Sequence, residues 1–143
     1  MSGIVVGHDG SLHAKRAARE AMVMARAFDE PVTIVRAFSI RQAMDSESWG
    51  SVEPVDEIEV RETVRLKEDT LELRNEFADV PVTVKAAHGS PASVLLAEGE
   101  HARMIVVGSR GLGGLSRLLG SVSERVVAHA RTTVVVVRDE HPE

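Results

Sequence analysis

The sequence predicts a three-layer α/β/α sandwich with a five-stranded, mostly parallel sheet, formed by one domain that covers residues 1–143. Short runs rich in valine and isoleucine alternate along the chain with longer segments of helical periodicity, as strands joined by crossover helices do. Most of these runs are apolar throughout, which is typical of strands covered by helices on both faces. Because crossovers between parallel strands are right-handed, five such strands and four helices give a doubly wound sheet.

The first strand, Ile4–His8, leads through Asp9 and Gly10 into a helix for which Ser11 is the predicted N-cap. Asp9 lies just beyond the carboxyl end of this strand, where open α/β sheets bind ligands. An Asp in such a turn also accepts backbone N–H bonds, so both roles stay open. The helix carries an apolar stripe of mostly small residues, which permits close contact with a sheet. The stripe consists of Ala14, Ala17, Ala18, Ala21, Met22, Ala25 and Phe28.

The second strand is predicted at Pro31–Phe38, with Ala37 near its carboxyl end. Residues 39–52 show no clear periodicity and are expected to form a surface loop. A long helix is predicted between Glu53 and Asp79, a segment whose ten acidic and four basic residues give a net charge of −6. Since the whole chain has a net charge of −5, the rest is nearly neutral. A charge-dense helix is more often a solvated face than a pair of catalytic carboxylates.

The third strand, Val80–Ala86, contains Pro81, and a proline favours a sheet edge or a strand start. Ser90 is then a predicted N-cap, and Pro91 is a predicted first helical residue, where its missing N–H costs nothing. This helix continues to about Glu100 and leads into the fourth strand.

The stretch from Met104 to Arg138 contains the strongest functional signal and five of the eleven glycines. An apolar strand ends at Gly108, and a glycine-rich loop follows. Ser121 and Glu124 are then predicted to form a capping box at the start of a helix that runs to about Arg131. The positive end of a helix facing a glycine loop favours phosphate. A glycine-rich connection that only permits a tight turn would have the same spacing, and it stays an alternative here.

Two phosphate-binding motifs are excluded by the spacing. A P-loop needs a lysine after its second glycine, but Gly113 is followed by Gly114 and Leu115. A dinucleotide motif would need glycine at position 116, where Ser116 stands, and should follow the first strand of the fold. The chain is therefore predicted to be neither a P-loop NTPase nor a dinucleotide-dependent enzyme.

Composition narrows the class of partner. The chain has no cysteine, which excludes disulfides and thiol catalysis. Its net charge of −5 and its 3% of aromatic residues provide neither the basic surface nor the stacking residues that nucleic-acid binding uses. No apolar run has transmembrane length, and no signal peptide precedes the first strand. A cytoplasmic protein without membrane or nucleic-acid partners is therefore expected.

Several motifs closely resemble the universal stress protein family, in the family's order and over nearly the whole chain. They are Val6-Gly7-His8-Asp9-Gly10-Ser11, Gly89-Ser90-Pro91, residues 105–111, Gly120-Ser121-Val122-Ser123 and residues 134–137. The resemblance implies a Rossmann-like fold of the adenine nucleotide alpha hydrolase type, often assembled as a homodimer. It also implies a role in stress tolerance or growth arrest, with at most slow hydrolysis of ATP rather than efficient catalysis.

The resemblance further implies a site for ATP, with Mg²⁺ present only as the counterion of the nucleotide and without a metal ligand from the protein. Asp9 is implied to contact the adenosine end and Ala37 to lie against the adenine, while Gly89 and Pro91 wall the crevice. The residues implied for the ribose and phosphates are Gly108, Arg110, Gly111, Gly120, Ser121, Val122 and Ser123, and Gly7, His8 and Val107 line the same crevice.

Two departures from the family pattern are present. The ATP-binding pattern has nine residues between its second and third glycines, whereas only eight, residues 112–119, separate Gly111 from Gly120. Losing one residue displaces a backbone group by up to about 3.5 Å, enough to break a hydrogen bond unless neighbouring glycines absorb the change. The second departure is Arg103, where similar sequences have an acidic residue just before the fourth strand.

Two functions are therefore open. One is an ATP-binding regulator of the stress response. The other is a nucleotide-free dimeric adaptor that acts through protein–protein contacts, which the shortened loop favours. The last strand is expected to lie at a sheet edge, where the apolar run Thr133–Val137 pairs with a second copy of the chain to form a homodimer.

Overall fold

The computed structural model describes residues 1–40, 54–110 and 119–138. In these residues, five strands and five helices follow one another. The strands are β1 (Ile4–Gly7), β2 (Val32–Phe38), β3 (Val82–His88), β4 (Met104–Gly108) and β5 (Thr133–Val137). The helices are α1 (Leu12–Phe28), α2 (Val55–Asp69), α3 (Leu71–Glu76), α4 (Pro91–Glu98) and α5 (Ser121–His129). Most of the predicted loop at 39–52 lies outside the described residues, as do Gly111 and residues 112–118 of the shortened segment.

All five strands are parallel and lie in the order β3-β2-β1-β4-β5. The chain starts in the middle of the sheet, adds β2 and β3 on one side, and returns to place β4 and β5 on the other. β3 and β5 form the two edges, as predicted for β5, whereas Pro81 left either a sheet edge or a strand start open for β3. β1 ends at Gly7, one residue earlier than predicted. β3 begins two residues later than predicted, at Val82, because Pro81 has no N–H to donate to β2. It also extends to His88, which pairs with Phe38.

Alternate residues of the central strands face two separate apolar cores. Val6, Ile34 and Val106 lie in the core beneath α1, α2 and α3. Val5 and Ile105 lie in the core beneath α4 and α5. All five side chains are nearly inaccessible to solvent, and burying each contributes roughly 1.5–3 kcal/mol. The sheet is therefore the middle of three layers, as the sequence predicted.

The alanine-rich stripe of α1 packs on the sheet. Six of its seven residues are buried, and Ala17, Ala18 and Ala21 have no exposed surface. Side chains of this size let the helix backbone lie close to the strands. Ser11 caps the helix as predicted, because its Oγ accepts the N–H of Ala14 at 3.1 Å.

Phe28, the seventh residue of the stripe, is 44% exposed and lies beneath the guanidinium of Arg103, which is 4.3 Å from the ring centre. The same guanidinium lies 3.5 Å from Glu30, whose carboxylate accepts the N–H of Gly3 at 2.7 Å. Arg103 thus joins the end of α1 to the starts of β1 and β4 through a cation–π contact and an ion pair. Arg103, the residue that departs from the family pattern, therefore has a structural role at the amino edge of the sheet.

The single long helix predicted for 53–79 is wrong, because the segment forms two helices that meet at Thr70. The buried hydroxyl of Thr70 donates to the carbonyl oxygen of Leu66 at 2.8 Å, and bonds of this kind compete with the regular helical ladder. Beyond this break, Phe77 enters the core beneath α1. Most of the charged residues of α2 and α3 are exposed, as expected for a solvated face.

Gly99, which follows α4, leaves no room for a side chain. A Cβ at this position would overlap the buried side chain of Ile105 and would lie 3.0 Å from the carbonyl oxygen of Leu95. Gly99→Ala should therefore lower the free energy of unfolding, measured by urea titration, by about 1–3 kcal/mol, as overpacking does. Ser93→Ala, at an exposed position of α4, should change it by no more than about 0.5 kcal/mol. Equal losses in the two variants would contradict this packing argument.

Candidate functional site

The site lies where the strand order reverses. β1 and β4 are neighbours at the centre of the sheet, yet α1 covers one face and α5 covers the other. Loops that leave neighbouring parallel strands toward opposite faces open a crevice at the carboxyl ends, and open α/β proteins bind ligands there. Gly7 and Gly108, two of the predicted site residues, end these two strands.

The turn after β1 is held by its own polar groups. The N–H of His8 donates to the carbonyl oxygen of Val35 at 2.9 Å, which extends the pairing of β1 with β2. The N–H of Gly10 donates to Nδ1 of His8 at 3.1 Å, and the N–H of Ser11 donates to Oδ1 of Asp9 at 2.9 Å. Gly10 has a φ of +88°, a left-handed conformation that favours glycine. The turn role considered for Asp9 is thus present, and its carboxylate is also exposed at the crevice edge.

His8 is a buried, neutral imidazole. Its side chain is almost completely covered, and burial together with the nearby charge of Arg36 lowers the pKa of His8 from 6.5 to about 4. Because Nδ1 accepts the Gly10 N–H, the proton of the neutral ring is placed on Nε2. At pH 7 the turn that carries Asp9 therefore contains a polar but uncharged side chain.

Sequence reasoning did not identify Arg36 as part of this region. Its Nε donates to the carbonyl oxygen of His8 at 3.1 Å, and its Nη2 donates to Oδ2 of Asp69 at 2.6 Å. Its Nη1 lies 3.9 Å from Oε2 of Glu62. The available signal in the sequence was that Arg36 is the one charged residue of β2, which marks an unusual position but does not identify its partners.

The ends of β2 and β3 form the next part of the edge. Ala37 pairs with Ala87, and the N–H of Gly89 donates to the carbonyl oxygen of Phe38 at 2.9 Å. Gly89 has a φ of +142°, which allows the chain to turn into α4. Pro91 is the first residue of that helix, as predicted, although the N-cap Ser90 makes no side-chain capping bond.

The end of β4 is tied to both β5 and α5. The N–H of Ser109 donates to the carbonyl oxygen of Val137 at 2.9 Å, and the carbonyl oxygen of Ser109 accepts the N–H of Gly120 at 2.7 Å. A Cβ at Gly108 would lie 3.1 Å from the carbonyl oxygen of His13. Glycine at 108 therefore lets the first turn of α1 approach the end of β4 closely.

The predicted capping box at Ser121 is wrong by one residue. Gly120 is the N-cap, no side chain caps the helix, and the first intrahelical bond runs from the Glu124 N–H to the Gly120 carbonyl oxygen at 2.9 Å. The N–H groups of residues 121–123 precede this bond and have no acceptor within the helix. The buried hydroxyl of Ser123, expected to donate to phosphate, instead donates to the carbonyl oxygen of Gly108.

The described part of the chain brings nearly all of the predicted site residues to one edge of the sheet. From the first half of the fold these are Gly7, His8, Asp9, Ala37, Gly89 and Pro91, and from the second half they are Val107, Gly108, Arg110, Gly120, Ser121, Val122 and Ser123. Gly111 lies outside the described residues. In residues 1–40, 54–110 and 119–138, no group of three or more His, Asp or Glu side chains is arranged to hold a metal ion.

The fold defines a class of protein: doubly wound parallel α/β proteins whose strand order reverses between β1 and β4. A family model described as the universal stress protein family matches residues 1–138. The chain belongs to the universal stress protein family.

Relatives by sequence agree with this assignment. The chain is 32% identical over 138 residues to a universal stress protein of Methanocaldococcus jannaschii, which covers 94% of this chain and 81% of the relative. It is 33% identical over 148 residues to a putative universal stress protein of Staphylococcus aureus strain USA300, which covers 96% of this chain and 84% of the relative.

Solved structures show the same Rossmann-like fold. The universal stress protein UspA from Lactobacillus plantarum superposes with a TM-score of 0.77 at 22% identity, covering 96% of this chain and 97% of the other. A universal stress protein in complex with cAMP gives 0.70 at 24% identity, with 97% and 98% covered. The universal stress protein from Archaeoglobus fulgidus in complex with dAMP gives 0.66 at 24% identity, with 95% and 97% covered. None of the helices in the described ranges is long and apolar enough to cross a membrane.

The low pKa of His8 predicts a loss of stability in acid. The unfolded imidazole binds a proton near pH 6.5 and the folded one only near pH 4, so the contribution of His8 is complete above pH 6.5 and is lost as the pH falls toward 4. The full difference between the two pKa values corresponds to about 3 kcal/mol. Urea titrations at several pH values should show this loss in the wild type.

His8→Asn is the matched variant, because its side-chain oxygen can accept the Gly10 N–H but does not titrate in this range. Its stability should fall less steeply than that of the wild type between pH 6.5 and 4, since the other titrating groups are shared. Parallel pH profiles for the two proteins would contradict the buried neutral His8.

Proposed function

We propose that this protein binds an adenine nucleotide, with Mg-ATP as the ligand, and acts as a cytoplasmic regulator of the stress response rather than as an efficient catalyst. One observation carries the proposal: the crevice between β1 and β4 has Asp9 and Ala37 on one side and the amino end of α5 on the other. Solved relatives in complex with cAMP and dAMP support it, since both ligands consist of adenine, a sugar and phosphate.

The chemistry of the available donors fits such a ligand. Asp9 offers an exposed carboxylate for the adenosine end, and the small Ala37 leaves space for the adenine beside β2. Gly89 and Pro91 form the wall on the side of β3. The N–H groups of residues 121–123, together with the positive end of α5, are suited to phosphate oxygens. Gly108, Arg110 and Gly111 complete the proposed phosphate side, with Gly7, His8 and Val107 lining the crevice.

Catalysis is proposed to be at most slow hydrolysis of ATP, with a turnover below about 1 per second, the lower end of the usual enzyme range. Two groups that could take part in hydrolysis are already hydrogen-bonded to the backbone. The His8 Nδ1 accepts a backbone N–H, and the Ser123 hydroxyl donates to a backbone carbonyl oxygen. Mg²⁺ is proposed to enter only with the nucleotide, as its counterion.

A second candidate function is a nucleotide-free dimeric adaptor. The observation that favours it is the eight-residue spacing between Gly111 and Gly120, one residue shorter than the family's ATP-binding pattern. A shift of one residue, up to about 3.5 Å, separates a phosphate oxygen from donors that would otherwise reach it. The two functions differ in one measurable property, the affinity for ATP.

Calorimetric titration of the nucleotide-stripped protein with Mg-ATP separates the two candidates. We expect binding near one ATP per chain, weaker binding of GTP, and a loss of affinity of about tenfold or more, equivalent to 1.4 kcal/mol, in Gly120→Val and Asp9→Ala. In Gly120→Val, the added side chain lies next to the N–H groups at the start of α5.

Val127→Ala is the matched control, because Val127 is 47% exposed on the same helix as the phosphate-binding end. Its affinity for ATP should equal that of the wild type. Absence of heat with any adenine nucleotide at millimolar concentration would reject the ATP-binding function and favour the adaptor.

We also propose that the protein is a homodimer that pairs through β5. Within residues 1–40, 54–110 and 119–138, this strand bonds to β4 on one side only, and its four valines are partly buried rather than covered. An apolar strand at a sheet edge presents unpaired backbone groups to a second copy of itself. Pairing of the two edges would cover both the backbone groups and the valines.

Light scattering on the eluting protein should give the mass of two chains for the wild type. Val136→Lys, which places a charge on the edge strand, should shift the mass to that of one chain while circular dichroism shows a folded protein. Val23→Lys, a change of the same kind at an exposed position of α1, should leave the mass unchanged. A wild-type mass of one chain would defeat the proposal.

A further inference from the structure

Arg36 is a cation held inside the fold at the edge of the candidate site. Its side chain is only 12% exposed, and a guanidinium in such a place is costly unless its N–H groups are paired. Its Nε and Nη2 donate hydrogen bonds to the carbonyl oxygen of His8 and to Asp69, and its Nη1 forms an ion pair with Glu62. Asp69 and Glu62 belong to α2, whereas the carbonyl oxygen of His8 belongs to the turn after β1. The arginine therefore links α2 and β2 to the turn that holds Asp9.

The bond to His8 acts on Asp9 through the backbone. The His8 carbonyl is part of the peptide unit that joins His8 to Asp9, and a peptide unit is planar. A hydrogen bond to this carbonyl oxygen fixes the orientation of the peptide plane. It therefore also fixes the position of the backbone nitrogen and Cα of Asp9. The Asp9 side chain is held separately, because Oδ1 accepts the N–H of Ser11 at 2.9 Å. Asp9 is thus constrained at both its backbone and its carboxylate.

Gly10 shows how closely the ion pair lies beneath this turn. A Cβ at Gly10 would be 3.4 Å from Nη2 of Arg36 and 3.8 Å from Oδ2 of Asp69. The turn therefore rests directly on the Arg36–Asp69 pair. A substitution of Arg36 or Asp69 therefore affects the turn after β1 directly, as well as the end of α2.

From this arrangement we propose that Arg36 is a positioning residue for the nucleotide site: anchored to α2 by Asp69 and Glu62, it sets the peptide before Asp9 and so presents the Asp9 carboxylate to the adenosine. The inference rests on the proposed function, in which Asp9 contacts the nucleotide. Arg36 itself touches no ligand. The planar fork of arginine is required, because it reaches the carboxylate and the carbonyl oxygen at the same time, which a lysine ammonium does not.

A double-mutant cycle on the affinity for Mg-ATP tests whether Arg36 acts through Asp9. Arg36→Met alone should raise the Kd by about tenfold or more, whereas the same change made in the Asp9→Ala background should raise it by less than about twofold. Arg36→Lys should raise the Kd by at least about threefold, since it keeps the charge but not the fork. Equal effects of Arg36→Met in the two backgrounds, or wild-type affinity in Arg36→Lys, would overturn the proposal.

Asp69→Asn tests the same proposal if Arg36→Met fails to fold. It weakens the ion pair that anchors Arg36 to α2 and leaves the arginine in place. It should raise the Kd by about threefold, and again only when Asp9 is present. An unchanged Kd in this variant would contradict the anchoring role of α2.

Arg26→Met is the matched control. Arg26 pairs with Asp79 through two hydrogen bonds of 2.9 and 2.6 Å, but it lies near the other end of α1, about 22 Å along the helix from Ser11. It should lower the melting temperature without changing the Kd. A Kd raised as much as in Arg36→Met would show that general destabilisation, and not positioning, accounts for the effect.

Amide hydrogen exchange supplies a readout that needs no nucleotide. In Arg36→Met the N–H groups of Gly10 and Ser11 should exchange at least about tenfold faster, while those of β4 keep the wild-type rate once corrected for global stability. If the wild type binds no nucleotide, the proposed function fails, and this exchange pattern still decides whether Arg36 holds the turn. Wild-type exchange at Gly10 and Ser11 would overturn the inference by itself.

Discussion

Parallel pairing of all five strands is the constraint on which the rest of the molecule depends. A parallel pair needs a connection that returns to the starting end of the sheet, so the helices must cross its faces. All carboxyl ends consequently share one edge, where the turn at Asp9 and the end of β4 at Gly108 become neighbours although they are far apart in the sequence. The crevice is a product of this topology before any side chain contributes to it.

Features fixed by local chemistry could be predicted from the sequence. Runs of β-branched residues predicted the strands, and the alanine stripe predicted the face of α1 that packs on the sheet. Ser11 and Pro91 predicted the starts of two helices. Each depends on residues within one turn or one strand, so a short window contains the information. The edge position of β5 was also predicted, whereas Pro81 allowed either a sheet edge or a strand start for β3 and lies just before that strand.

The errors and omissions concern hydrogen bonds whose partners cannot be identified from the spacing of residues in the sequence. The acidic segment breaks at Thr70, whose hydroxyl donates to the Leu66 carbonyl, and Gly120 is the N-cap of α5, with its own N–H bonded to the carbonyl of Ser109 at the end of β4. Ser123 donates to Gly108 across fifteen residues, and Arg36 finds Asp69 across thirty-three. The partner to which each polar group bonds depends on the folded arrangement of the chain. The spacing of residues in the sequence does not contain that information.

Helix α1 cannot slide along the sheet. A shift by one turn, about 5.4 Å, would bring Met22 to the place of Ala18, and a close-packed interior has no volume for the larger side chain. The helix therefore has a single register against β1 and β4, and the turn at its start inherits that register. This side of the crevice is a wall of preset shape, and a molecule bound there would have to fit the wall as it stands.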